Sequence, residues 1–141
     1  LNQAKSSPKP LLLKIAPDLT DSQLDDIIEI ALSTKLSGLV ATNTTISRED
    51  LTTPKAEIEA IGAGGLSGAP LRERSVEVIR YLHQKTNGTL PIIAVGGIMT
   101  PQDAVERMRA GASLIQVYTG FVYGGPNFAK GLCKAIDEAG L

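Results

Sequence analysis

The sequence predicts an α/β fold in which parallel strands alternate with helices. Three observations carry this. Apolar strand-like runs and amphipathic helical stretches alternate four times along the chain. The runs are short and near-continuously apolar, the pattern of parallel strands rather than of half-solvated antiparallel ones. Each run ends in a polar or glycine-rich turn: "APD", "TNTT", "VGG" and "YTG".

The elements follow in order. "LLLKIAP" reads as a strand over residues 11–16, buried on both faces, with Lys14 near its end. "TDSQ" offers a capping box of Thr20 with Gln23. Leu24, Ile27, Ile28, Ala31 and Leu32 then form one apolar helical face. "SGLVATN" is the second strand. Residues 44–68, polar and glycine-rich, exceed an ordinary connection and read as a loop with a task. "APLRERSVEVIRYLHQKTNG" is a helix with Pro70 in its first turn, Asn87-Gly88 at its end, and Leu71, Val78, Ile79 and Leu82 facing the core. "LPIIAVGG" is the third strand. "TPQDAVERMRAG" is a helix with Thr100 as N-cap, Pro101 in the first turn and Gly111 as its end. "ASLIQVYTG" is the fourth strand. The last helix, "PNFAKGLCKAIDEAGL", turns Phe128, Leu132, Ala135 and Ile136 inward, and places Cys133 near that stripe as a core thiol.

This βα order predicts a parallel sheet with right-handed crossovers. A doubly wound dinucleotide site would show G-x-G-x-x-G after the first strand, and "APDLT" has no glycine. Polar turns after every strand are the pattern of a (β/α)8 (TIM) barrel, so about four βα units make half of one.

Composition bounds the rest. The 141 residues, 43% apolar and 21% charged, fit one domain over 1–141. A net charge of −1 with scattered Lys and Arg gives no nucleic-acid footprint. Cys133 and His83 are the only Cys and His, which excludes an internal disulfide and a cysteine zinc site and argues against metal catalysis or a Cys–His nucleophile pair. His83 reads as a surface residue, and "RED" and "RER" as solvated charge. No run is long enough to span a membrane, and no signal peptide is legible, so the chain reads as soluble. It begins at Leu1, and "LNQAKSSPKP" resembles a helix tail and linker, as in a piece of a longer protein.

The chemistry gathers at the strand ends. Val95, Gly96 and Gly97 let backbone approach a ligand and leave N–H groups free for phosphate oxygens. Tyr118 and Thr119 would bring a hydroxyl beside them. Ser67 and Gly68 of "GGLSG" could close the same pocket, with Arg72 a candidate to meet that loop. Asn43, Thr44 and Thr45 offer paired donors and acceptors, or a turn cluster. Asp18 reads as a turn or capping residue. Lys14 has two readings, a snorkelling surface cation or an ammonium aimed at an anionic ligand, and its neighbours favour the second.

"LLLKIAPDLT", "VATNTT", "GGLSGAPLRERS", "PIIAVGGI" and "AGASLIQVYT" resemble the C-terminal half of dihydroorotate dehydrogenases of the quinone-dependent class. The resemblance implies a TIM barrel holding FMN, oxidation of dihydroorotate to orotate in pyrimidine (UMP) biosynthesis, and a quinone acceptor. It implies a parent peripheral on the inner (cytoplasmic or mitochondrial) membrane. It maps Lys14 beside the flavin ring, where a cation stabilises charge built up on reduction. It places Thr42 and Asn43 near the flavin, Asn43 and Thr44 on the pyrimidine, and Ser67, Gly68, Val95, Gly96, Gly97, Tyr118 and Thr119 around the cofactor, chiefly its phosphate. The family's catalytic serine belongs to the other half of the barrel, so no catalytic base is expected here and the fragment alone is expected to be inactive. A half-barrel leaves open edges and an uncovered face, to be closed by the missing N-terminal half or a second copy. Two other readings stand beside this one: a phosphate-binding half-barrel of a non-redox isomerase or synthase, with Lys14 as a proton-transfer or Schiff-base lysine, and an inactive structural module.

Overall fold

The computed structural model describes residues 8–141. The helix tail expected at the start of the chain falls on residues 1–7 and lies outside the described residues. Four strands form one sheet: β1 (Leu12–Ile15), β2 (Gly38–Ala41), β3 (Ile92–Val95) and β4 (Leu114–Gln116). They pair in parallel in the order β1-β2-β3-β4, with Leu13 opposite Leu39, Leu39 opposite Ile92 and Ile93 opposite Leu114. The helices are α1 (Asp21–Ser33), α2 (Lys55–Ile61), α3 (Arg72–Lys85), α4 (Pro101–Arg109), α5 (Thr119–Gly124) and α6 (Phe128–Glu138), with a 3₁₀ turn at Ala69–Leu71.

The strand order decides between the two architectures. A doubly wound sheet reverses direction at a switch point. Here every crossover steps the same way, and right-handed crossovers of one direction put the helices on one face. Burial agrees. Leu39, Ala41, Ile92 and Ala94 have no exposed surface and pack with Leu24, Ile28, Ala31, Val78, Ile79 and Leu82. Alternation sends Leu12 and Leu114 to the other face, where they are 38% and 61% exposed. This is the arc of a (β/α) barrel.

The helices start where the sequence chemistry says they should. Thr20 and Gln23 form the complete capping box of α1, and Thr100 forms another with Asp103 on α4. Across the outer surface Tyr81 Oη donates to Asp25 (2.9 Å), and Lys85 Nζ pairs with the same carboxylate (3.1 Å), tying α3 to α1. These hydrogen bonds, that from Lys85 first, hold the Asp25 carboxyl below its ordinary range.

Five expectations need correction. The first strand is not buried on both faces: only Ile15 is buried, because β1 is an edge strand with one neighbour and its inner face is uncovered. Residues 44–68 are not all loop, since Lys55–Ile61 is helical, although none of its residues is buried. Pro70 lies in the 3₁₀ turn ahead of α3, not in its first turn. The fourth strand stops at Gln116, and the "YTG" turn opens α5, whose terminal glycines disguised it as loop. Cys133 is exposed, because α6 buries a stripe centred on Leu132 and turns the next residue outward.

The two faces of the sheet should answer truncation differently. Leu39→Ala is expected to cost about 2–5 kcal/mol, as for any fully buried leucine. Leu114→Ala is expected to change stability by no more than about 0.5 kcal/mol. Urea unfolding of both variants checks this, and equal losses would contradict the one-sided core.

Candidate functional site

A cleft of about 210 Å³ opens at the C-terminal ends of the four strands. Parallel strands put their C-termini at one end of the sheet, so each following turn contributes to it. Lys14 comes from β1. Thr42, Asn43 and Thr44 follow β2, and Ser67 and Gly68 reach in from the long connection. Val95, Gly96 and Gly97 come from the end of β3, and Tyr118 and Thr119 from the turn after β4. These eleven residues therefore line one cleft, whereas Thr45, offered with Asn43 and Thr44, faces a second hollow instead.

The local geometry suits a ligand with oxygen-rich and anionic parts. Lys14 Nζ has no hydrogen-bond or ion-pair partner among the described residues, and the side chain is exposed within the cleft. Thr42 is 2% exposed, yet its Oγ1 has no hydrogen-bond partner, an unmet acceptor and donor at the cleft wall. Thr119 Oγ1 donates to Ser67 Oγ at 3.0 Å, joining the loop after β4 to the long connection. The backbone is drawn in tightly at two glycines. Gly68 (φ 87°) leaves room for Thr119, whose Cγ2 would lie 3.2 Å from an added Cβ. Gly97 (φ 68°) sits against the backbone of Arg72, where an added Cβ would collide with Cα and N. The Ala41–Thr42 peptide bond is cis.

The sequence profile of the family described as dihydroorotate dehydrogenase matches residues 2–139. The chain belongs to that family.

Among its relatives, the dihydroorotate dehydrogenase (quinone) of Christiangramia forsetii is 58% identical over 141 residues, covering 99% of this chain and 40% of that protein. The protein of the same name from Rhodococcus opacus is 56% identical over 135 residues, covering 93% of this chain and 38% of that one. Among solved structures, the ligand-free DHODH of Eimeria tenella superposes with a TM-score of 0.84 at 42% identity, covering 95% of this chain and 37% of that one. The same enzyme with ferulenol gives 0.82 at 41% identity, covering 97% and 36%. The chain thus spans about two-fifths of the length of these dihydroorotate dehydrogenases. The half-barrel fold is the one that this family membership carries.

Sequence reading missed part of the lining: Leu71, Ile98, Met99, Gln116, Val117 and Gly120. Gln116 carried a signal. It is the one polar side chain inside an otherwise apolar β4, and its pairing with Val95 puts it on the uncovered face that also carries Lys14. Arg72 does not reach the "GGLSG" loop. Its Nε lies 2.9 Å from Asp103 Oδ1 instead. Asp18 ties two loops together, accepting from Thr45 Oγ1 and from Ile46 N–H. A second hollow of about 530 Å³ lies beside these loops, but its Arg74 is committed to the carbonyls of Pro17 and Leu19 and to Glu77. Among the described residues no cluster of His, Cys, Asp and Glu is placed to hold a metal ion, and no helix is long and apolar enough to cross a membrane.

Asp103 anchors the turn that follows β3. It is 5% exposed and accepts from the N–H groups of Met99 (2.9 Å) and Thr100 (2.8 Å). Burial would raise its pKa, but these hydrogen bonds and the charge of Arg72 outweigh it and hold the carboxyl below its ordinary value. The stability that Asp103 contributes is therefore complete above its unfolded pKa of about 3.9 and is lost as pH falls through the lower native value. Urea midpoints at pH 6 and pH 3 should fall further apart for the wild type than for Asp103→Asn. Equal differences would show that Asp103 does not carry this acid lability.

Proposed function

We propose that this chain forms the cofactor-facing half of the active site of a quinone-dependent dihydroorotate dehydrogenase, an oxidoreductase that converts dihydroorotate to orotate. One observation carries the reading: the cleft at the strand C-termini brings an unpartnered ammonium, an unpartnered buried hydroxyl and two tight glycine turns, at Gly68 and at Gly96–Gly97, to one place. The quinone-type names of the relatives and the extent of the match support it further. Nothing observed favours the isomerase or synthase reading.

The residues fit FMN. When bound, FMN supplies the acceptor for the hydride that leaves dihydroorotate. The ribityl phosphate would lie among Ser67, Gly68, Gly96, Gly97, Tyr118 and Thr119, whose hydroxyls and backbone N–H groups donate to phosphate oxygens. Val95 would line the path between phosphate and ring. Thr42 Oγ1 would meet a polar edge of the flavin and so lose its unsatisfied state. Lys14 would hold a positive charge against the ring system, which favours an electron-rich bound form. Asn43 and Thr44, both exposed at the cleft, would read the pyrimidine through amide and hydroxyl groups. The catalytic base would come from the remaining part of the barrel, as would further contacts to quinone. In the whole protein that part would cover the open face of this sheet, at a peripheral position on the membrane.

FMN titrated into the chain and followed by flavin fluorescence tests this. Saturable binding is expected. Lys14→Ala should weaken it at least about tenfold, the loss of one charge-assisted hydrogen bond. Absence of binding up to millimolar FMN would reject the assignment for this half of the barrel.

A further inference from the structure

Arg107 has no exposed surface, although it lies between Glu106 and Arg109 in a helix rich in charge. Its guanidinium donates to the carbonyls of Arg72 (2.8 Å), Asp103 (3.1 Å) and Gly96 (3.3 Å), and to Ser75 Oγ (3.0 Å). Its charge is balanced by Asp103 and Glu106, whose oxygens lie 3.9 and 3.4 Å away. Ser75 is 1% exposed, and its Oγ lies 3.0 Å from Gly96 O as well. Two buried groups on two different helices, α3 and α4, thus converge on one carbonyl of the turn after β3.

That carbonyl belongs to the peptide plane it shares with Gly97 N–H. The plane is trans, so the two groups point in opposite directions. Holding Gly96 O toward the helices turns Gly97 N–H away from them. Gly97 lines the cleft, and no acceptor among the described residues takes its N–H. We infer that Arg107 and Ser75 are positioning residues for the phosphate group of the cofactor: from behind the cleft they lock the Gly96–Gly97 peptide with its N–H presented to an anion. Neither side chain touches the ligand. Selectivity for the phosphorylated flavin is then set in part by two helix residues outside the cleft lining. The inference rests on the proposed binding of FMN by its phosphate at this turn.

The test compares FMN with riboflavin, which has the same ring and no phosphate, by fluorescence titration of the full chain. Wild type, Arg107→Met, Arg107→Lys and Ser75→Ala are compared, with circular dichroism melts as the control for folding. Arg107→Met is expected to raise the FMN Kd about tenfold and to leave the riboflavin Kd unchanged, with partial recovery in Arg107→Lys. Ser75→Ala should raise the FMN Kd severalfold on the same pattern, and it decides the matter if Arg107→Met does not fold. Equal weakening of both ligands, or no change in either, overturns the positioning role. Failure of the wild type to bind FMN is visible before any variant is compared and overturns the proposed function itself.

Discussion

A guanidinium with no contact with water is the constraint on which this site is built. Removing Arg107 from solvent costs several kcal/mol, and burial pulls its pKa below the ordinary arginine value. The cost is offset only because three carbonyls, a hydroxyl and two carboxylates are arranged around it. Those partners come from α3, α4 and the end of β3. Each element must therefore be in place for the others to be stable. The reach of arginine suits this position. A planar fork can bond in several directions within one plane, which a point-like ammonium does less well. Asp103 completes the arrangement from the other side, joining Arg72 to the N–H groups that open α4.

The sheet then carries this rigidity to the cleft. All four strands are parallel and short, so their C-terminal ends fall at one level and their turns converge. The clasp between Thr119 and Ser67 brings in the long connection, whose ends are pinned by the antiparallel bridge of Thr45 and Leu66 and by Arg48 reaching Gly64 O. Between those pins the segment, including α2, buries almost nothing. Site residues thus stand on the well-packed part of the chain, and the exposed excursion hangs from it. This division fits a site that needs fixed donors and a rim free to vary.

Much of this was legible in the sequence because it follows from local rules. The Thr20–Gln23 box and the Thr100 cap are chemistry of neighbouring residues, and Val78, Ile79 and Leu82 share one helical face that the core fully covers. The cleft residues were legible for a topological reason: if the strands are parallel, whatever follows each of them meets. What escaped depends on partners remote in sequence. The exposure of Leu12 and Leu13 reflects what does not cover β1, which an apolar run cannot express. Arg107 reads as one more surface charge in "VERMR", since its acceptors lie 35 and 11 positions away at Arg72 and Gly96. Helix α5 was lost because glycine stands at both of its ends and its exposed aromatic residues show no buried stripe.

The sequential strand order has a consequence for how the chain is made. Each strand pairs with the one completed just before it, so no strand waits for a partner that lies further along the chain. Ribosomes deliver about 5–20 residues per second, far slower than a helix forms or a loop closes. Each βα unit can therefore dock on its predecessor while the next is still being synthesised. The strand order allows this arc to assemble vectorially, with the newest strand as its growing tip. The buried lock on Arg107 closes only when α4 arrives, after the sheet it fixes has three strands in place.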